Sequence, residues 1–194
     1  CACACAGVVG NMPSGIGGSG LARFTQDLPG SEIYSGLLSG SIAVEKTGPG
    51  TLILTNSANI HSGGTTIAQG VLQVGNGGTA GVLPGNVVNN ASLVFNRSNA
   101  LTFAGAISGT GSVTQAGTGV LTLTGANSYS GGSIVTSGIL AAGSDGVLGA
   151  PSSGLTLNGG TFRYLSAFGL GAGRAVSVGG SGGTRVQREH GFED

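Results

Sequence analysis

The sequence has no tryptophan, and charged residues make up only 7% and aromatic residues only 5% of its 194 residues. The formal net charge is zero, and Lys and Arg form no basic stripe. Because neutralising a phosphate backbone needs clustered Lys and Arg, the composition argues against a nucleic-acid partner. No run approaches the roughly 18 apolar residues of a membrane-spanning helix, so the chain is not predicted to span a membrane itself.

Cysteine is confined to the start of the chain, at Cys1, Cys3 and Cys5. The spacing of two differs from the C-x-x-C of zinc sites, and neither a His nor a fourth Cys lies nearby. Because no cysteine follows position 5, no disulfide framework is available to hold the fold. The cysteines therefore predict neither a metal site nor a redox centre.

Helical periodicity is also missing. No window places apolar residues at i, i+3, i+4 and i+7 without an intervening Gly, and 42 residues are Gly. Each Gly costs an α-helix about 1 kcal/mol. Val, Leu and Ile instead recur at every second residue in short runs, which is typical of strands with one buried face. The sequence therefore predicts an almost wholly β protein.

An internal repeat organises the chain. Residues 44–75 read VEKTGPGTLILTNSANIHSGGTTIAQGVLQVG, and residues 113–143 read VTQAGTGVLTLTGANSYSGGSIVTSGILAAG. Leu52 matches Leu121, and one residue is dropped in the following turn, so that Gly70 matches Gly138. The repeat outranks local motifs as a guide to the fold, and it predicts two units at about 37–105 and 106–174.

Apolar anchors set the length of one coil. Leu52, Leu72 and Leu93 recur at intervals of about 20 residues, and Leu121, Leu140 and Phe162 recur at similar intervals. Strands that recur in this way favour a solenoid whose coils stack in parallel and share one core. We predict a right-handed parallel β-helix, or β-solenoid, with coils of about 20–23 residues. The residues predicted to point inward in stacked rows are Leu52, Leu54, Leu72, Leu93, Leu121, Leu123 and Leu140.

The second copy resembles the passenger-associated repeat of bacterial autotransporters, the type V secreted surface proteins. The pattern is G-x-G-T-L-x-L-T-G-x-N-x-Y-S-G-G-T-x-I-x-x-G-x-L. The first copy departs from it at Asn56, where Gly is expected, and at His61, where Tyr is expected. The positions of closest match are Gly117, Gly119, Leu121, Leu123, Thr124, Gly125, Asn127, Tyr129, Gly131, Gly132, Gly138 and Leu140.

The resemblance implies a structural β-helix stalk of a passenger that is displayed at the bacterial cell surface and outer membrane or secreted. It also implies a role in secretion and folding, and a partner, the outer-membrane β-barrel translocator, on the same polypeptide. An adhesin is the alternative, binding ligands on host or neighbouring cells through loops or through a Thr/Ser/Asn-rich face. A polysaccharide-acting enzyme is a weaker alternative, and we predict a protein that is not an enzyme.

No catalytic constellation accompanies the repeat. His61 occupies the position of Tyr129 in the other copy, so we interpret it as a turn residue standing where an aromatic ring packs. The matches to G-x-G-x-x-G at 15–20 and to G-x-S-x-G at 179–183 lack the strand and helix that a dinucleotide site or a nucleophile elbow needs. Seven scattered carboxylates do not supply the clustered acids of polysaccharide cleavage. The sequence thus predicts no catalytic, cofactor-binding or metal-ligating residues.

The ends and loops carry further predictions. Residues 1–20 are predicted to be an irregular, Gly-rich segment, 21–178 the solenoid, and 179–194 a Gly-rich and then charged tail without regular structure. The runs 81–85 and 146–151 are predicted to be outward loops. Since the chain begins without Met and shows no secretory signal pattern, we expect a piece of a longer protein. Asn90 and Asn96 lie in Asn-x-Ser sequences but are interpreted as turn residues.

Overall fold

The computed structural model describes residues 3–6, 14–179 and 185–188, which are almost entirely strands and turns. The helical element in these residues is a single 3₁₀ turn, Asp145–Val147. No helix in this part of the chain is long and apolar enough to cross a membrane. The strands are β1 (Cys3–Ala6), β2 (Gly15–Ile16), β3 (Ser19–Thr25), β4 (Ser31–Tyr34), β5 (Leu37–Leu38), β6 (Ser41–Thr47), β7 (Thr51–Leu54), β8 (Thr65–Ile67), β9 (Val71–Val74), β10 (Val87–Asn89), β11 (Ser92–Phe95), β12 (Leu101–Phe103), β13 (Ile107–Ser108), β14 (Ser112–Gln115), β15 (Val120–Leu123), β16 (Ser133–Val135), β17 (Ile139–Ala142), β18 (Leu155–Leu157), β19 (Thr161–Tyr164), β20 (Val176–Val178) and β21 (Arg185–Arg188).

Three parallel sheets form the sides of a solenoid. Sheet I has the order β1-β3-β6-β8-β10-β13, sheet II has β20-β18-β16-β14-β11-β9-β7-β4, and sheet III has β12-β15-β17-β19-β21. A two-stranded pair, β2-β5, lies apart from them. Neighbouring strands within a sheet are parallel and separated by a full turn of the chain. This arrangement confirms the predicted parallel β-solenoid.

The register between strands fixes the coil length. Along sheet II, Ser31 pairs with Thr51, Thr51 with Val71, Val71 with Ser92, and Ser92 with Ser112. Each coil in this region therefore takes about 20 residues, as the apolar anchors predict. Sheet II has eight strands and follows the solenoid for most of its described length, whereas sheet I ends at β13 and sheet III begins at β12. Irregular segments therefore complete one side in the N-terminal half and another in the C-terminal half.

The core is a set of stacked apolar rows. Alternate residues of β9, β11 and β15 are buried, as the period of two of a strand requires. Leu52, Leu72 and Leu93 pair in register, and all three are fully buried. Burying one Leu side chain stabilises the fold by about 1.5–3 kcal/mol. All seven leucines that the sequence predicts to point inward belong to this core, which confirms the predicted rows.

A column of glycines explains part of the unusual composition. A Cβ on Gly125 would lie 2.3 Å from the carbonyl oxygen of Gly105. A Cβ on Gly105 would in turn meet the carbonyl oxygen of Gly85 at 1.9 Å. Strands of adjacent coils are about 4.8 Å apart, so a side chain that points along the stack at a corner has no room. Glycine at these corners is therefore a packing requirement and not a sign of an unstructured linker.

Regular structure extends into both segments for which the sequence predicts none. Strands β1 and β2 lie within residues 1–20, and β21 lies within residues 179–194. These strands pair with β3, β5 and β19 respectively. Apolar and polar residues alternate only weakly along these strands, so their local sequence does not predict them. The neighbouring coil supplies their hydrogen-bonding partner. Cys1 and the final residues 189–194 lie outside the described residues.

The prediction of outward loops at 81–85 and 146–151 is wrong. Leu83 is 5% exposed, and Leu148 is fully buried, with Val147 beside it. These segments complete the side of the coil on which the corresponding half of the solenoid has no regular strand, so their apolar residues have to close the core. The Gly and Pro residues that flank them shape a corner rather than a solvent-exposed loop.

Candidate functional site

The polar side chains of the two repeat copies lie inside the solenoid. Four buried positions of the first copy correspond to four of the second when the two copies are aligned. We call these eight residues the inward polar set, and they are the candidate site. They are Lys46 and Gln115, Asn59 and Asn127, His61 and Tyr129, and Thr65 and Ser133.

Lys46 holds the turn that follows its own strand. Its Nζ donates hydrogen bonds to the carbonyl oxygens of Thr47 and Gly48, both at 2.7 Å, and to that of Gln69 in the next coil at 3.3 Å. The residue has no exposed surface, and this burial lowers the pKa of its amine. The ion pairs formed by the described residues are Arg23–Glu45 and Arg174–Asp145, so carbonyl dipoles and not a carboxylate stabilise this charge.

Gln115 has the same task in the second copy. Its Nε2 donates to the carbonyl oxygens of Gly117 at 2.9 Å and Gly119 at 3.0 Å. Gly138 lies directly above this turn, where a Cβ would stand 2.4 Å from both of those oxygens, and its φ is +57°. Two physical reasons thus demand glycine at 138: the close approach of carbonyls and the left-handed backbone.

Asn127 connects three successive coils. Its Oδ1 accepts a hydrogen bond from the backbone N–H of Ile107 at 2.8 Å, and its Nδ2 donates to the carbonyl oxygen of Val147 at 2.6 Å. One partner is 20 residues earlier and the other is 20 residues later, which is one coil in each direction. A single amide thereby satisfies two backbone groups that the irregular side of the coil leaves unpaired.

Asn59 repeats this bridge in the first copy. Its Oδ1 accepts from the N–H of Leu38 at 3.0 Å, and its Nδ2 donates to the carbonyl oxygen of Val82 at 2.9 Å. This bridge needs a donor and an acceptor on one side chain. Asn supplies both, whereas Asp and Leu do not, which explains Asn at both positions. The sequence shows Asn127 only as a position of the repeat motif, and nothing in its local pattern predicts this bridge.

His61 and Tyr129 fill equivalent places beside a hydroxyl four residues later. His61 is 1% exposed, and its Nε2 lies 3.1 Å from Oγ1 of Thr65. The hydroxyl of Tyr129 lies 2.6 Å from Oγ of Ser133. Burial lowers the pKa of His61 and raises the pKa of Tyr129 to about 12. The expectation that His61 stands where an aromatic ring packs is confirmed.

Arg174 lies in the next coil and binds the irregular segment that follows the second copy. Its Nε donates to Oδ1 of Asp145 at 2.6 Å, and the guanidinium also binds the carbonyl oxygens of Leu148, Gly149 and Ser153. The Arg174 side chain is fully buried. Hydrogen bonding to Arg174 holds the pKa of the Asp145 carboxyl below its usual range. The Arg174–Asp145 ion pair therefore has a structural role, and the N–H donors of Arg174 are used by groups within the chain.

Carboxylates and metal-ligating side chains are few in the described residues. Their carboxylates are Asp27, Glu32, Glu45 and Asp145, and no group of three or more His, Cys, Asp and Glu side chains in this part of the chain could hold a metal ion. Residues 15–20, the G-x-G-x-x-G match, form β2 and the start of β3 rather than a strand-to-helix turn. The match at 179–183 lies largely outside the described residues.

The two repeat copies occupy different sides of the solenoid. Val44 pairs with Thr65, Thr65 with Val87, and Val87 with Ile107, so three coils carry the chain from β6 to β13 along sheet I. The short stretch that follows carries it round one corner to Val113 in sheet II. Each strand of the second copy is consequently displaced by one sheet, from I to II or from II to III. The two copies therefore share the same buried positions, whereas their turns face different sides of the solenoid.

The fold and the inward polar set define a class of protein, a repeat β-solenoid whose polar motif residues are used for internal coupling. The chain matches the passenger-associated-transport-repeat family over residues 44–74 and 113–142. It is also 50% identical over 101 residues to the adhesin BmaC autotransporter of Brucella suis biovar 1 (strain 1330). That alignment covers 52% of this chain and 3% of the relative, so the chain spans a small part of its length.

No solved structure matches the chain. Both repeat copies are thus similar to passenger-associated-transport repeats, and about half of the chain is similar to an autotransporter adhesin. The resemblance drawn from the sequence is thereby confirmed.

Proposed function

We propose that the chain is a structural stalk segment of an autotransporter passenger. It stiffens and spaces the exported polypeptide, and its coils fold outside the cell after passage through an outer-membrane barrel on the same polypeptide. The observation that carries this proposal is the direction of the motif residues: Asn127, Gln115 and Tyr129 are buried and bind the backbone or a neighbouring hydroxyl.

The displacement between the copies supports the same function. A ligand that recognised the turns of the repeat would meet the first copy on one side of the rod and the second copy on another. The inward polar set, in contrast, makes equivalent bonds in both copies, since Asn59 and Asn127 each bridge the coil before and the coil after. Stacking of each coil on its neighbours is the property that both copies share.

An adhesin is the second candidate, and the name of the Brucella relative favours it. The outer face of sheet II offers a surface for it, because its register positions Thr51, Ser92, Ser112 and Thr114 carry hydroxyl groups. No charged residue occupies the outward rows of this sheet between β4 and β20. Such a face would bind an uncharged, hydroxyl-rich ligand by hydrogen bonds.

One experiment separates the two functions. The chain is placed between an epitope tag and a translocator barrel, and surface display and adhesion to cells are measured for two variants. Asn127→Leu removes an inward bridge, and Thr114→Lys changes the outer face. A stalk predicts that Asn127→Leu reduces display and protease resistance, while Thr114→Lys changes neither display nor adhesion. Loss of adhesion in Thr114→Lys with normal display would overturn the stalk and favour the adhesin.

A further inference from the structure

His61 is a buried titratable group with an incomplete set of hydrogen bonds. Its Nε2 meets Oγ1 of Thr65 at 3.1 Å, while its Nδ1 is buried with no hydrogen-bond partner. In the neutral ring with the proton on Nε2, the unpaired atom is an acceptor. In the protonated ring it becomes an N–H donor with no acceptor, and a positive charge is added in a dry site. The arrangement therefore tolerates neutral imidazole and opposes imidazolium.

No carboxylate compensates a charge at this position. The preceding coil contacts the His61 segment through residues 36–44 and the following coil through residues 75–89, and neither range contains a charged residue. On β6, Glu45 faces outward and pairs with Arg23, and the Lys46 amine is held by carbonyls at the end of the strand. Burial is accordingly the cause that lowers the pKa of His61.

The second copy carries no such group at the equivalent place. Tyr129 donates or accepts one hydrogen bond with Ser133, and burial raises its pKa to about 12, so it stays neutral throughout the acid range. Asn127, Gln115 and Ser133 do not titrate either. The two copies of one motif thus differ in their response to acid.

We propose that the first repeat copy is an acid-sensitive joint in the rod: protonation of His61 opens the coil stack around residues 56–65, while the second copy stays closed. The folded-state pKa of His61 is below the ordinary value near 6.5, so its contribution to stability is complete above that pH and is lost as pH falls towards the folded pKa. A surface protein built this way changes its stiffness when its surroundings acidify.

Hydrogen exchange tests the joint. Protection factors are measured at about pH 7.5 and about pH 5 for the amides of Ser62 and Gly63, which bond to Gly40 and Ile42, and for their counterparts Ser130 and Gly131. We expect the first pair to lose protection in acid, because burial lowers the pKa of His61 in the folded chain. The second pair is expected to keep its protection.

Matched variants isolate His61 from other groups. His61→Gln keeps a polar side chain that does not titrate and is expected to abolish the acid loss, whereas Tyr129→His is expected to confer it on Ser130 and Gly131. An unchanged acid loss in His61→Gln would overturn the proposal. An NMR titration of the parent chain that gives the His61 imidazole a pKa at or above the ordinary value would also overturn it. This measurement does not depend on whether Tyr129→His folds.

Discussion

Substitution of Lys46 tests whether the inward polar set acts through hydrogen bonds or through charge. Lys46 is a fully buried amine that bonds three carbonyl oxygens, and Gln115 bonds two at the matching position of the second copy. Lys46→Gln therefore installs in the first copy the solution that the second copy already uses. Lys46→Met keeps an unbranched chain of similar length and removes every donor.

The expected magnitudes follow from the carbonyls. Lys46→Met leaves the buried carbonyl oxygen of Gly48 without this donor, and a buried unsatisfied group costs about 1–3 kcal/mol. The free energy of unfolding should therefore fall by about 1–3 kcal/mol, less the cost of desolvating the ammonium in the parent. Lys46→Gln retains a donor and sheds the charge, so its free energy of unfolding should lie within about 1 kcal/mol of the parent.

Urea unfolding followed by far-UV circular dichroism at neutral and alkaline pH measures both effects. Because burial lowers the pKa of the Lys46 amine, the unfolded chain binds this proton more tightly than the folded chain. Stability of the parent should rise with pH between the folded pKa and about 10.5, and this rise should be absent in Lys46→Gln. Equal destabilisation by Gln and Met would refute the reasoning, because it would show that the ammonium itself is required.

Further predictions concern the core, the turns, catalysis and cooperativity. Leu121→Ala should cost about 2–5 kcal/mol in thermal melting, and a parental melting temperature would contradict the register. Gly138→Ala should destabilise more than Ala at exposed Gly143, where a Cβ meets open space; equal effects in urea would contradict the carbonyl clash. Purified chain should turn over neither polysaccharides nor peptides, and a turnover that disappears in His61→Ala would restore the enzyme class. Hydrogen-exchange protection should be strongest in residues 51–75 and 120–143 and fall towards β4 and β20, whereas uniform protection would indicate a single cooperative unit.

The coil architecture could be predicted from the sequence because its cause is local and repeated. Leu72 and Leu93 alternate with outward residues on their strands, and a period of two together with a regular recurrence of strands leaves few packings other than a parallel stack. The pair Leu52 and Leu121 then fixes the offset between the copies. Each of these signals depends on residue type alone, and apolar residues that alternate with a period of two form one face that favours burial.

The inward polar set could not be predicted because polar residues are usually exposed. Lys46 stands two residues after the inward Val44, so the alternation pointed to its burial, but a lone charge outweighs this signal without a known acceptor. The acceptors are backbone carbonyls, including one a coil away in Gln69, and only the register reveals them. The burial of Leu83 could not be predicted for a different reason: the absence of a regular strand on that side is a property of the whole coil.

The displacement of the copies by one sheet points to what the repeat preserves. A motif kept for recognition of a flat partner would recur after a whole number of coils, so that every copy faced the same way. Here three coils bring the chain from Val44 to Ile107, and the stretch that follows turns the motif onto the next side. Asn59 and Asn127 nevertheless bind the coils before and after with the same two bonds. These bonds join each coil to its neighbours along the axis, and they do not depend on the side of the solenoid that a copy faces. This favours coupling of coils as the function of the repeat.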